Sequence, residues 1–239
     1  MTSTASRTRS FIDLRAWAAD ATVAPSAGNP FLTARTALPL AEGPITAGLI
    51  TLPRGTGAIA AMPAEEFMIV ASGALRIEQG GQSFALAEGD SLLLRDGVAF
   101  TWTADTETRL FFMRRTGGPA GDGAIIPVDI DAQLEPSGAP LAELLVGATP
   151  QCRNHGDYKS EDGEFMVGTW DSSPYHRRPM LYRHYELMYL LDGSVTFVDE
   201  DGAQATFHKG DIFLVEQGAS CSWDSQVHVK KVYCIYRPA

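Results

Sequence analysis

Cysteine is scarce in this chain of 239 residues, and the three present, Cys152, Cys221 and Cys234, show no Cys-x-x-Cys spacing. That excludes a disulfide framework and a zinc knuckle, and it fits a reducing compartment. Basic charge is also short: 19 Lys and Arg against 29 Asp and Glu leave a formal charge of −10. Such a balance argues against nucleic acid or an anionic membrane surface as partner. No apolar run approaches the roughly 20 residues needed to span a bilayer. There is no Gly-rich phosphate loop and no G-x-S-x-G nucleophile turn. The acidic stretch "DEDG" at 199–202 lacks the ligand spacing of a calcium loop. The opening "MTSTASRTRSF" is rich in Arg and Ser, but no apolar signal core comes after it. A frayed terminus and a cytoplasmic location are expected.

The composition, 45% hydrophobic and 20% charged, supplies a sizeable core. The chain also repeats itself. The stretch beginning "EFMIVASGALRIEQGG" aligns with the stretch beginning "ELMYLLDGSVTFVDEDG" over nearly fifty residues. Glu66 falls on Glu186, Met68 on Met188 and Gly73 on Gly193; after one inserted residue, Gly89-Asp90 meets Gly210-Asp211. Leu93, Gly97 and Trp102 then meet Leu214, Gly218 and Trp223. Shared glycines mark shared turns, because glycine adopts positive φ cheaply. Alternating runs around Gly80-Gly81 and around Asp201-Gly202 predict two hairpins. Short Gly-closed strands and late strands rich in aromatic and β-branched residues predict an all-β sandwich or barrel in each copy.

The expected organisation is an N-terminal arm plus first barrel over 1–116, a linker over 117–150, and a second barrel over 151–239. "RTGGPAGDGAIIP" reads as flexible linker by composition. Short helices are expected in "SFIDLRAWAAD" and around Pro140 to Val146.

A Glu with a Gly six residues later, then Gly-Asp and a further Gly turn, resembles the cupin superfamily. The resemblance implies two tandem cupin jelly-roll β-barrels, a bicupin. The second half, from "GTWDSSPYHRRPMLYRHYELMYLLDG" to "KVY" at 231–233, is similar to the cupin domain of ureidoglycine aminohydrolases and ethanolamine-utilisation accessory proteins. Metal-binding cupins place His-x-His ahead of the Glu and a third His after the second Gly turn. Carried onto this sequence, those positions are Ala60, Met62 and Phe100 beside Glu66 in the first copy. In the second they are Met180, Tyr182 and Cys221 beside Glu186. The aminohydrolase pattern of Glu, His, His and Gln is not reproduced at any of these four positions of the second copy. No metal is therefore expected in the first barrel, where Glu66 is expected to ion-pair or cap a turn.

In the second barrel His184 and Glu186 sit two apart, and on an extended strand they share a face. A carboxylate inside a barrel requires a partner. The candidates are His184, Arg183, Tyr182, a metal or a ligand. Cys221 reads as a small buried hydrophobe rather than a nucleophile. The recurring Trp102 and Trp223 read first as packing residues, though a Trp at a barrel mouth can stack on a ligand. "YHRRPMLYRHY" gathers two His, three Arg and three Tyr, so Arg177, Arg178 or Arg183 could grip a carboxylate.

The leading expectation is a small-molecule pocket in the C-terminal barrel, formed by Tyr182, His184, Glu186, Cys221, Trp223 and Arg178, beside a structural N-terminal barrel. No cofactor is required on this reading. One alternative is a divalent transition metal at His184, Glu186 and Cys221, serving an enzyme on a small nitrogenous metabolite as the aminohydrolase resemblance implies. Another is a non-catalytic scaffold. A homodimer or a pseudo-symmetric pairing of the two barrels is the expected assembly.

Overall fold

The structure is a computed structural model that describes residues 10–21 and 27–239. Most of the Arg- and Ser-rich opening lies outside the described residues. The chain divides into two compact units: residues 16–128, and residues 129–239 together with the described residues before Ala16.

Both units are antiparallel and built on one plan. In the N-terminal unit the larger sheet runs Ile125–Pro127, Ser91–Leu94, Glu65–Ser72, Thr108–Arg115, Ile45–Leu52 and Arg35–Ala37. In the C-terminal unit the same order recurs as Ile12–Asp13, Ile212–Val215, Tyr185–Asp192, Val229–Tyr236, Phe165–Ser172 and Cys152–Lys159, with Glu135–Ser137 added at the edge. Each unit closes with a smaller sheet. It is Gly55–Ile59, Phe100–Ala104, Leu75–Gln79 and Gln82–Leu86 in the first. In the second it is Leu145–Val146, Tyr175–Leu181, Ser220–Ser225, Ser194–Val198 and Gln204–His208. Side chains from the two sheets of each unit meet in one apolar cluster, which makes each unit a jelly-roll barrel.

The predicted hairpins form, with Gln79 paired to Gln82 and Val198 to Gln204. Helix is confined, among the described residues, to Leu14–Ala19, Pro30–Thr33 and a single 3-10 turn at Ala142–Leu144. The stretch expected as a linker carries strands of both units. Ile125–Pro127 pairs with Ser91–Leu94, while Glu135–Ser137 pairs with Cys152–Lys159. No helix among the described residues is long and apolar enough to cross a membrane.

Two of the repeated glycines show why the repeat is kept. Gly73 and Gly193 sit at φ +82° and +78°. A Cβ on Gly193 would stand 2.1 Å from the His228 carbonyl oxygen, and one on Gly73 would stand 2.7 Å from that of Glu107. By contrast, Gly202 has φ +81° and open space where its Cβ would be. Left-handed backbone alone costs an L-residue about 1 to 2 kcal/mol. Gly202→Ala should therefore cost about that much in urea denaturation, and Gly193→Ala clearly more, because its methyl also displaces a strand. Equal losses would contradict the role given to the carbonyl contact.

Candidate functional site

The strand Tyr185–Asp192 turns Glu186, Met188 and Leu190 to one face by period-two alternation. Met188 and Leu190 join the barrel core, so the Glu186 carboxylate is carried inward with them. Its oxygens are both engaged. Oε1 accepts from Lys231 Nζ at 2.7 Å, and Oε2 lies 3.3 Å from His184 Nε2. All three side chains are buried.

Lys231 comes from the neighbouring strand Val229–Tyr236, in register with Leu190 on one side and Trp170 on the other. Its ammonium stands 3.1 Å from Met188 Sδ. It also lies 5.0 and 5.1 Å from the ring centres of Trp170 and Trp223, in cation–π range. Burial alone would raise the Glu186 carboxyl. The Lys231 ammonium, and then His184, outweigh burial and hold it well below the usual carboxylate range.

A second charged group enters from the opposite sheet. Arg177 donates through Nη2 to the Tyr182 hydroxyl at 3.1 Å and through Nη1 to the Arg178 carbonyl at 3.3 Å. Its guanidinium lies 5.5 Å from the Tyr182 ring centre. Tyr175 stacks on Trp223 at 5.7 Å and 12°, and Trp170 meets Trp223 edge-on at 5.8 Å. Burial pushes the Tyr175 and Tyr182 phenols far up, so both are neutral donors and acceptors.

These groups line one cavity of about 530 Å³ within the C-terminal barrel. Its wall includes Tyr175, Arg177, Tyr182, His184, Glu186, Trp170, Trp223 and Lys231; Pro140, Met166, Met180 and Ile235 add apolar surface.

Tyr182, His184, Glu186 and Trp223 therefore converge as the sequence suggests. Two candidates do not. Arg178 is exposed, and Arg177 takes the inward place, because the pairing of Tyr175–Leu181 with Ser220–Ser225 shifts register between Arg177 and Met180. Cys221 is fully buried in the apolar cluster with Tyr182, Met188, Val215 and Ala219, off the cavity wall. Burial pushes its thiol up to about 12, so it is not a thiolate nucleophile at neutral pH.

Lys231 is hidden in the sequence as one of two adjacent lysines. The available signal is parity, since Lys231, Tyr233 and Ile235 alternate onto the cavity face.

The donors present do not fit a transition metal. Among the described residues no three His, Cys, Asp or Glu side chains form a ligating group. Glu186 Oε1 is already bound to an ammonium, and Cys221 lies within the core.

The N-terminal barrel answers its own Glu differently. Arg35 clamps Glu66 through two bonds of 2.7 and 2.9 Å, and Arg114 Nε adds a third of 2.7 Å. The interior is filled by Met62, Met68, Phe100 and Trp102, with Phe31 of the helix Pro30–Thr33 packed against Phe100 at 5.1 Å. Asn29 caps that helix and also accepts from Trp102 Nε1 at 3.1 Å. Glu66 is thus an ion-paired structural carboxylate, and Trp102 is a packing residue.

Residues 41–112 and 159–233 match the family described as EutQ-like cupin domain. A solved protein of unknown function from Pseudomonas syringae pv. tomato, assigned to the DUF861 family, is 30% identical. That similarity covers 90% of this chain and 92% of the other, with a TM-score of 0.82. A cupin 2 conserved barrel domain protein from Leptotrichia buccalis shares the fold at 11% identity, covering 97% and 98% of the two chains, with a TM-score of 0.61. So does a salicylate 1,2-dioxygenase from Pseudaminobacter salicylatoxidans, at 12% identity, 98% and 86% coverage and a TM-score of 0.58. Among curated proteins none matches the chain.

Proposed function

Because the chain belongs to the EutQ-like cupin domain family, whose fold hosts many chemistries, we propose a function from the site itself: small-molecule binding in the C-terminal barrel. The N-terminal barrel is the structural half. One observation carries the reading. Two copies of one fold differ inside, the first packed with side chains around Phe31 and Trp102, the second opening into a cavity of about 530 Å³. That volume falls within the roughly 300 to 1,000 Å³ of small-ligand sites, and the wall joins aromatic surface to a few fixed polar groups.

Trp170, Tyr175 and Trp223 supply the apolar wall. Glu186, Lys231 and His184 form a buried ion-paired floor that orients hydrogen bonds toward the cavity. The ammonium of Lys231 already occupies one Glu186 oxygen, which supports a reading without a metal.

The test is a thermal-shift and tryptophan-fluorescence titration against a chemically mixed panel of small neutral, cationic and anionic compounds. Saturable binding by the wild type, lost in Trp223→Ala and kept in Trp102→Phe, is the expected result. Panel-wide silence, or binding unchanged in Trp223→Ala, would remove the proposal.

A further inference from the structure

Resting on that pocket, we infer that its ligand is a small organic monocarboxylate with a flat apolar body, its carboxylate gripped by Arg177 and its body set among Trp170, Tyr175 and Trp223. The decisive feature is an unpaired charge. Arg177 is 3% exposed and lines the cavity. Among the described residues its hydrogen-bond partners are the Tyr182 hydroxyl and the Arg178 carbonyl, with the Tyr175 phenol close by, and no carboxylate is among them. A guanidinium cannot shed its proton, and a buried charge without a counter-charge is costly.

The ionisable groups set against Arg177 supply no free anion. The Tyr175 and Tyr182 phenols and the Cys221 thiol stay protonated in their buried positions. Glu186 is committed to Lys231 and His184. With Glu186 taken up by Lys231, the single positive charge of Arg177 has no carboxylate on it. One charge calls for one anionic group.

Geometry selects the type of anion. Arg177 has five N–H donors and spends no more than three on its protein partners, leaving at least two for a ligand. A planar carboxylate matches that fork. A phosphate would bring up to two negative charges where one is required. Arg178 and Arg183, the other arginines of the stretch, are exposed and cannot do this from outside the cavity. The remaining wall, with Pro140, Met166, Met180 and Ile235 beside the aromatic rings, asks for an apolar body.

The experiment is calorimetric titration of the full-length protein with benzoate, phenylacetate and nicotinate, each against its own amide, and with inorganic phosphate. At least one carboxylate should bind about 10- to 100-fold more tightly than its amide, the range for one charge-assisted pair of hydrogen bonds. It should also bind more tightly than phosphate. Arg177→Gln should reduce that carboxylate to the level of its amide, and Arg178→Gln should change nothing.

Amides that bind as well as carboxylates would overturn the inference, as would phosphate binding more tightly. So would an Arg177→Gln protein that keeps the preference. In each of these cases the pocket itself stands. The wild-type comparison decides the matter even if Arg177→Gln does not fold. If all three carboxylates fail while other panel compounds bind, this inference falls alone. If nothing in the panel binds, the pocket reading falls with it.

Discussion

Replacing Lys231 with Met should destabilise the C-terminal unit by about 3 to 5 kcal/mol at neutral pH, the cost of stranding a buried charge. The substituted side chain is close in volume and apolar, so lost packing contributes little. What is lost is the 2.7 Å partner of Glu186 Oε1. The double variant Lys231→Met/Glu186→Leu should recover much of the loss, because it removes the stranded carboxylate as well. The pH dependence has a definite sign. In the wild type Glu186 is held below its ordinary value of 4.5. Its contribution is therefore full above that value and is lost as pH falls toward the depressed folded value. In Lys231→Met burial acts without the ammonium, so the carboxyl rises and takes up a proton readily. The gap between variant and wild type, read from urea denaturation, should narrow as pH falls. It narrows first above 4.5, as the raised variant carboxyl takes up its proton, and then below 4.5, as the wild type loses its contribution. A gap that stays constant across that range would mean that Lys231 acts by packing alone.

Glu66→Gln should be as damaging to the N-terminal unit, for the opposite reason. Here one buried carboxylate bridges two partly exposed guanidiniums, Arg35 and Arg114. An amide leaves both positive charges without an anion, at a cost of about 3 to 5 kcal/mol. The helix Pro30–Thr33 should loosen with them, since Arg35 also donates to the Phe31 carbonyl through Nε and Nη2. Hydrogen exchange would show faster exchange over 29–37. Ligand binding by the folded variant should be unchanged, because the pocket-lining residues all belong to the other unit. A variant as stable as wild type would contradict the role given to the clamp.

Both carboxylates were legible in the sequence as partners of one repeat, but the groups that hold them were not. The repeat was readable because turn glycines leave a fixed mark. Gly73 and Gly193 are required both by positive φ and by a carbonyl too close for a Cβ. The inward pair His184 and Glu186 was readable because two-residue spacing on extended chain shares a face. Arg178 in place of Arg177 was the natural error. Strict alternation puts 178, 180 and 182 together, whereas the register shift after Arg177 sets Tyr175 and Arg177 on the cavity face with Met180 and Tyr182. A bulge leaves no compositional signature in "YHRRPMLY".

Cys221 shares parity with Trp223, yet sequence alternation cannot say that Trp223 reaches the cavity wall and Cys221 does not. The partner of Glu186 was illegible for a further reason. It lies 45 residues away in sequence, and only strand pairing brings Lys231 beside Leu190 and within reach of the carboxylate. The same holds for the contrast between the barrels. The Glu is repeated, but Arg35, Arg114 and Phe31 belong to strands and a helix outside the aligned core motif or at its far end.

On the proposed reading, the two copies of one barrel divide into a filled structural half and a binding half whose cavity holds an arginine without a carboxylate partner. That division is tested most directly by a crystal structure of the full-length protein soaked with the tightest-binding of the three carboxylates. The predicted result is density inside the C-terminal barrel, its carboxylate on the Arg177 guanidinium and its ring against Trp223 or Tyr175, with Lys231 still on Glu186. Density confined to the N-terminal unit, or a carboxylate bound away from Arg177, would contradict it.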